Sequence, residues 1–571
     1  MSGWRERPVD PACVAALAAA GFSPLQARLL ALRGVTPAAV EGYLHPSLQA
    51  LAAPEELPGV AEARTRILAH VRAGGRIVVF GDYDCDGICA TAILYTALEA
   101  LAPGRVGRFI PDRLAEGYGM GAASVARMLG ENPGTTLVVT VDNGITCGEQ
   151  VAALAARGVE VIVTDHHLPG ETLPACTIVN PRVAAPEGLR DLCGAGVAFM
   201  LANALVRQAK AEGLYSGPNV GGPLLVLAGL ATVTDIMPVV GQNRILVAEA
   251  LRRFRAWAPL GLRELFDRAA RSAAPALTAK DFGFLIGPRI NAAGRMASGA
   301  DALDLVLAAD RERARALAQR VDVHNTARKA IEQQMTDRAL AQVVPGVPAQ
   351  VIDLPDGHPG VAGIVAARVL ERLGPDAQVP VCVVVGGRGS ARAPDGYNVR
   401  DAFAAADEAL AHYGGHAAAG GFSVREGQLA RFRELFAAAC AAQAATFGDA
   451  PAGQTLYDAA VAGQDLTFEL VSWMRGLEPF GEGNPEPLFA LRNVHLADVR
   501  PLGLEGRHLQ LAVRGRECPR AVWWNRGDRV EALRAEGARP HDLLCTAEIS
   551  SYGEPHVELR LVDVRLSALD E

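Results

Sequence analysis

Three carboxylates stand at alternate positions in Gly81-Asp82-Tyr83-Asp84-Cys85-Asp86-Gly87, directly after the run RIVVF (76–80). Side by side on one loop, such groups repel one another unless a cation lies between them. Their hard oxygens suit Mg or Mn. A solvated acidic turn or a calcium loop is the alternative. An EF-hand, however, needs an acidic residue at its twelfth position and flanking helices, and here a strand-like run precedes the loop. Val141-Asp142-Asn143-Gly144 and Thr164-Asp165-His166-His167 follow two further runs of the same kind, and Asp235 follows the apolar stretch that ends in Ala-Thr-Val-Thr. Alone, the Asp142 segment is a common turn and Asp235 is unremarkable. Neighbouring histidines at a strand end point in different directions, so one can ligate while the other meets substrate. Together the four pieces put carboxylates and imidazoles on one edge of one sheet, enough for two divalent cations ~3.5–4 Å apart. Such a pair clamps a phosphoryl oxygen, lowers the pKa of a bound water and stabilises a leaving oxygen. Phosphoester hydrolysis is the chemistry expected.

The elements that must position these residues are legible in the hydrophobic pattern. RIVVF (76–80), TLVVTVD (136–142) and VEVIVTD (159–165) read as buried strands of a parallel sheet, with amphipathic stretches at 88–101 and 147–157 between them. Strand then helix, repeated, predicts a doubly wound α/β domain that binds its ligand at the carboxyl edge of the sheet. Residues 300–344 read as long charged helices ending at Pro345-Gly346, and a second α/β pattern follows with QVVPGVPAQVIDL (342–354) and VPVCVVV (379–385). Ala-rich stretches at 403–419 and 436–445 read as helix formers. RHLQLAV (507–513), DLLCTAEIS (542–550) and HVELRLVDV (556–564) alternate apolar and polar, predicting an antiparallel sheet with one wet face. A small OB-type β-barrel fits that length. There, Arg514, Arg516, Arg520, Arg526 and Arg529 interleave with Trp523 and Trp524. Basic groups that follow a backbone and aromatics that stack on bases suit a single strand. Adjacent tryptophans on a strand face opposite ways, so at least one belongs to the core; Tyr552 is a further stacking candidate.

The 571 residues suggest three or four domains at roughly 100–200 residues each. Half are apolar and 21% are charged, with 60 glycines and 35 prolines, which excludes a disordered or low-complexity chain. Fifty-five basic against 63 acidic residues give a net charge of −8. That excludes a uniformly basic coat but not a local basic channel. Ten scattered cysteines form no disulfide framework or four-ligand zinc site, so free thiols in a reducing compartment are expected. The N-terminus has no signal-peptide core, and uncharged 213–234 contains Ser, Asn, Pro and several Gly, so it reads as a loop and a buried segment rather than a membrane span. A soluble cytoplasmic protein is expected.

In order, DYDCDG, VDNG, DHH and the TD of ATVTDIMP look like the DHH phosphoesterase superfamily. FIPDRLAEGYGM (109–120), GPRINAAGRM (287–296), HPGVAGIVAARV (358–369), GSARA (389–393), GGHAAAGGF (414–422) and PFGEGNPEP (479–487) resemble blocks of its RecJ branch, the single-strand-specific 5′→3′ DNA exonucleases. The resemblance runs from about residue 50 to the barrel. It implies metal ligation by Asp84, Asp86, Asp142, His166 and Asp235, with Asp142 bridging two Mn or Mg ions. Asp82 ligates too or supports the loop, because other branches carry a histidine where this chain has Phe80. His167 would face substrate, and Asp165 would orient a ligand. As catalytic residues the reading names His167, Asp142 and Asp165. Ser390, Arg392 and His416 in glycine-rich turns offer donors to a phosphate, and Arg113, Arg289, Asn291, Arg295, His358 and Arg368 are candidates for contacts along the strand, as are Trp523, Trp524 and Arg526 in the barrel. Arg113 is a candidate for the 5′-terminal phosphate.

The implied order is an N-terminal helical segment (1–50), a DHH catalytic domain (51–300), connecting helices (301–345), a DHHA1-type domain (346–450) and an OB-fold domain (451–571). The implied activity is hydrolysis of single-stranded DNA from its 5′ end to mononucleotides, in recombination and repair. Polarity and the preference for DNA rest on the resemblance alone. A monomer is expected, with a single-strand-binding protein and a helicase as pathway partners. A small-substrate phosphodiesterase of the same superfamily and a non-catalytic strand-holding scaffold are the rival readings. The barrel and the PFGEGNPEP block argue against the first, and the complete ligand set against the second.

Overall fold

The computed structural model describes residues 3–113, 115–116, 119–270, 277–374, 378–447, 455–514, 519–537, 539–550 and 554–567. The chain divides into two compact units: Met1–Leu51 with Pro238–Val240 and Gln454–Glu571, and Ala52–Met237 with Gly241–Gly453. Arg516 and Tyr552 lie outside the described residues.

The larger unit carries a five-stranded parallel sheet in the order Val106–Phe109, Arg76–Phe80, Thr135–Val141, Glu160–Thr164, Thr177–Val179. The three predicted strands are present. The two outer ones, four and three residues long, are too short to stand out from the pattern. Phe80 pairs with Thr140 and Val141 with Thr164, so the three motif loops leave neighbouring strands at one level of the carboxyl edge. Val78, Phe80, Val138 and Val163 are fully buried in the core on one side of this sheet. Helices Cys85–Leu101 and Gly194–Ala211 are largely buried. Helix Gly221–Thr234 fills the second half of the uncharged stretch, as a buried rather than a membrane-spanning element. No described helix is long and apolar enough to cross a membrane.

Arg311–Leu340 is a single 30-residue helix whose N-cap, Asp310, accepts a hydrogen bond from the Arg313 amide at 2.8 Å. Beyond it a second sheet runs Leu410–Gly415, Ala419–Val424, Arg388–Arg392, Val381–Val385, Gln350–Asp353. Here the expectation of a helix over 403–419 is corrected. The helix stops at Ala405, and a hairpin of Leu410–Gly415 with Ala419–Val424 follows. Alanine supplies helix propensity, but Gly414, Gly415, Gly420 and Gly421 remove it. Gly415 takes φ 134°, which a side chain would resist.

In the smaller unit a seven-stranded sheet has the order Ala459–Ala460, Phe489–Val494, His541–Ser550, His556–Leu566, Arg520–Trp523, His508–Val513, Leu496–Leu502. Its alternating strands bury Leu509, Leu511, Leu543 and Leu559, and the N-terminal Leu17, Leu29 and Leu30 join the same core. Strand Trp4–Glu6 pairs with Thr455–Tyr457, so both ends of the chain belong to one unit.

Candidate metal centre and phosphate site

Each motif loop is held by backbone chemistry before any ligand is considered. Asp84 caps helix Cys85–Leu101, its Oδ1 accepting from the Gly87 amide at 3.0 Å. Gly87 is required there, since a Cβ would lie 2.6 Å from Asp82 Cβ. Asp86 accepts from the amides of Gly194 and Ala195, both at 2.7 Å, at the positive end of helix Gly194–Ala211. A Cβ at Gly194 would fall 2.7 Å from Asp142 Oδ1, so the backbone itself closes on that carboxylate. Asn291 Oδ1 accepts from the Cys85 amide at 2.7 Å. It thereby fixes the acidic loop from helix Gly287–Met296 instead of presenting its carbonyl to a strand.

Asp142 lies in the left-handed region at φ 61°. Thr140 Oγ1 donates to the Asn143 carbonyl at 2.7 Å, and Asn143 Nδ2 donates to Val141 O at 2.9 Å, so the turn is locked on both sides. Asp165 accepts from the amides of Ile145, His166 and His167 and holds His167 Nδ1 at 2.7 Å. Asn180 Nδ2 donates to the His167 carbonyl at 3.0 Å, a support that no motif announced.

His166 Nε2 is the meeting point. Asp142 Oδ1 stands 3.1 Å from it, and Asp86 Oδ2 and Asp235 Oδ2 stand 3.6 Å away. Two further groupings share these residues: Asp82, Asp84 and Asp142, and Asp142, His166 and His167, each with ligand atoms within 4.8 Å of one another. Asp235 arrives from a different kind of element than expected. It is the C-cap of helix Gly221–Thr234, not a residue on the sheet's edge. A helix end and three strand ends therefore converge.

The electrostatics are those of a cation site. Burial, then Asp86 and the other neighbouring carboxylates, hold Asp142 well above the usual range. Asp82 is raised by burial and Asp84, Asp86 by burial despite His166, and Asp235 to about 9 by burial and Asp86. Burial lowers His166 and so favours its neutral form. Burial also works to lower His167, but the Asp165 hydrogen bond and charge outweigh it and lift the imidazole to about 9. Asp165 stays low because, against its burial, His167 and the Ile145 amide favour its charged form. Asp82 Oδ1 and Asp142 Oδ1 are buried yet accept no hydrogen bond among the described residues. Buried orphan oxygens beside a neutral imidazole fit hard divalent ions such as Mn or Mg.

Next to this cluster, Arg113 lies over the Tyr83 ring at 4.9 Å. Arg295 is lowered to about 10 by burial and then by Arg113, and Arg392 is lowered by the same two causes. Arg295 donates to Gly360 O at 3.2 Å and Arg392 to Ala391 O at 2.7 Å. Neither forms an ion pair among the described residues, so half-buried positive charge is left for an anion. A cavity of about 630 Å³ opens here, lined by Tyr83, Arg113, Gly360, Arg388, Ser390 and His412 among others. Burial, and then the charge of His167, lower His416. His358 Nδ1 accepts from the Gly360 amide at 3.1 Å and thus shapes the cavity wall.

Other candidates are engaged elsewhere. Arg289 binds Asp322 at 2.9 Å, and Arg368 binds Glu332 and Glu371. Trp523 is buried at 3% exposure with Arg526 4.6 Å from its ring, whereas Trp524 is 45% exposed and edge-on to His508.

The family model described as DHH family, N-terminal domain matches residues 76–220, and the RecJ OB domain matches 457–563. The single-stranded-DNA-specific exonuclease RecJ of Thermus thermophilus is 38% identical over 511 residues, covering 89% of this chain and 71% of that protein. Its Escherichia coli counterpart is 34% identical over 522 residues, covering 86% and 87%. The crystal structure of RecJ in complex with Mn2+ from Thermus thermophilus superposes with a TM-score of 0.83 at 34% identity, covering 99% of this chain and 80% of that one. A Mg2+ complex of the same protein gives 0.78. Site geometry, both family models and relatives matched over most of their length agree: the chain belongs to the RecJ family of DHH-domain proteins.

Proposed function

We propose that this protein is a metal-dependent exonuclease that hydrolyses single-stranded DNA from its 5′ end to 5′-mononucleotides, acting in recombination and repair. The observation that carries the reading is the overlap of acidic and imidazole clusters at Asp142 and His166, beside an arginine cluster with no ion pair to Arg295 or Arg392 among the described residues.

Asp82, Asp84 and Asp142 would hold one Mn or Mg ion, and Asp86, His166 and Asp235 a second, with Asp142 between them. Bound there, the ions supply charge neutralisation to the phosphodiester and make a water acidic. The chain's own residues do the rest. His167, held by Asp165 at 2.7 Å, would face the reacting phosphate. Arg113, Arg295 and Arg392, with Ser390 and His416, take phosphates of the strand, and Arg113 is the residue for its 5′ terminus. Trp524, half-exposed in the smaller unit, would stack on a base. The protein would act as a cytoplasmic monomer, supplied with unpaired DNA by a helicase and a single-strand-binding protein.

The test is digestion of one single-stranded oligonucleotide labelled in turn at its 5′ and 3′ ends, with Mn and with EDTA. Immediate release of a labelled mononucleotide from the 5′ end, with the 3′ label on shortening fragments and no reaction in EDTA, is expected. An intact long strand alongside turnover of dinucleotides would overturn it.

A further inference from the structure

Ile236 follows Asp235 directly and takes φ 56°. β-Branched residues avoid the left-handed region because their side chain crowds the backbone, and glycine or asparagine would make the same helix exit without strain. Its apolar side chain is nevertheless 72% exposed. Phe284, at 79% exposure, occupies the middle of the π-helical turn Phe282–Ile286, whose two end residues are fully buried. Such turns push one side chain out of the regular helical face and recur at functional sites.

The two segments pack on each other. A Cβ at Gly283 would meet Val233 Cγ1 at 3.5 Å, and one at Gly287 would overlap Thr234 Cγ2 at 2.3 Å. Both exposed side chains therefore leave from backbone that flanks Asp235, whose carboxylate is 3.6 Å from His166 Nε2. Strained or irregular backbone and exposed apolar surface each work against the folded chain, and here they coincide next to the cation cluster. The charged groups of the site would engage phosphates. They offer nothing to the sugars and bases that a strand must lay beside its reacting phosphate.

We infer that Ile236 and Phe284 form an apolar step that bears on the sugar and base flanking the scissile phosphate. This rests on the exonuclease reading and adds to it a selection for unpaired nucleotides, because a base's face is open to such contact only outside a stacked duplex.

The test measures kcat, KM and melting temperature for Ile236→Gly, Ile236→Leu and Phe284→Ala on a 5′-phosphorylated single-stranded oligonucleotide. Ile236→Gly should melt at or above the wild type, since glycine adopts the same φ freely, while its KM rises about tenfold, the loss of one base contact. Phe284→Ala should raise KM about as much without lowering the melting temperature, and Ile236→Leu should keep KM within about twofold. A KM within about twofold of wild type in Ile236→Gly or Phe284→Ala, or a fall in the melting temperature of Ile236→Gly, would overturn the inference. A wild-type protein that leaves the strand intact would instead sink the exonuclease reading, and this inference with it.

Discussion

Asp142 stands in a left-handed conformation with a buried Oδ1 that accepts no hydrogen bond among the described residues. Each feature is unfavourable, the backbone alone by about 1–2 kcal/mol. Asparagine tolerates that φ and carries no charge to repel Asp86 and Asp84. Asp142→Asn should therefore melt about 2–4 °C higher than wild type in EDTA, lose most of the stabilisation that Mn gives, and lose at least ~100-fold in turnover. Unchanged turnover would remove Asp142 from the site. Of the individual residues, the carboxylates and histidines at the strand ends were legible in the sequence, because an apolar run that stops at Asp is visible without any coordinates. The role of Asn291 was not. Its sequence block suggested contact with a strand, while its hydrogen bond to the Cys85 amide depends on tertiary packing.

Elements explain why those residues meet. Helix Gly287–Met296 supplies Asn291, so Asn291→Ala should free the acidic loop and raise the Mn concentration for half-maximal activity ~10–100-fold, with kcat at saturating Mn changed much less. An unchanged Mn requirement would mean that the loop holds itself. In the seven-stranded sheet, Asp542 is pushed up by burial but pulled down further by Arg492, Ser567 and the Asn493 amide, ending below the usual carboxylate range. A depressed folded-state value contributes stability above the unfolded value and loses it as pH falls through the folded one. Asp542→Asn should thus lower the melting temperature at pH 7 and flatten its fall between about pH 5 and 3. A parallel fall in both proteins would exclude the effect. Strand periodicity made the central strands of the parallel sheet readable but not the hairpin of Leu410–Gly415 with Ala419–Val424. It could not show that Asp235 comes from a helix C-cap, since an apolar run before Asp looks the same as strand or as buried helix.

At the scale of the whole molecule, a net charge of −8 coexists with a cluster of the half-buried Arg113, Arg295 and Arg392, which composition could not reveal. Nor could it show that the chain's two ends share a core, because strand Trp4–Glu6 pairs with a partner at Thr455–Tyr457, far along the chain, over only three residues. The two tryptophans separate the stability of that unit from its hold on a strand. Trp523→Ala should destabilise by about 3–5 kcal/mol through the cavity it leaves, whereas Trp524→Ala should melt as wild type but bind a long oligonucleotide about tenfold more weakly, with cleavage of a trinucleotide much less affected. Equal losses on long and short substrates in Trp524→Ala would contradict the stacking role. In the proposed site, one set of largely buried side chains, with Asp142 shared between two subsets, would hold two cations. Crystals soaked in Mn and measured at its absorption edge test it directly. Two anomalous peaks are expected, one among Asp82, Asp84 and Asp142 and the other among Asp86, His166 and Asp235. A single peak, or peaks away from Asp142, would contradict it.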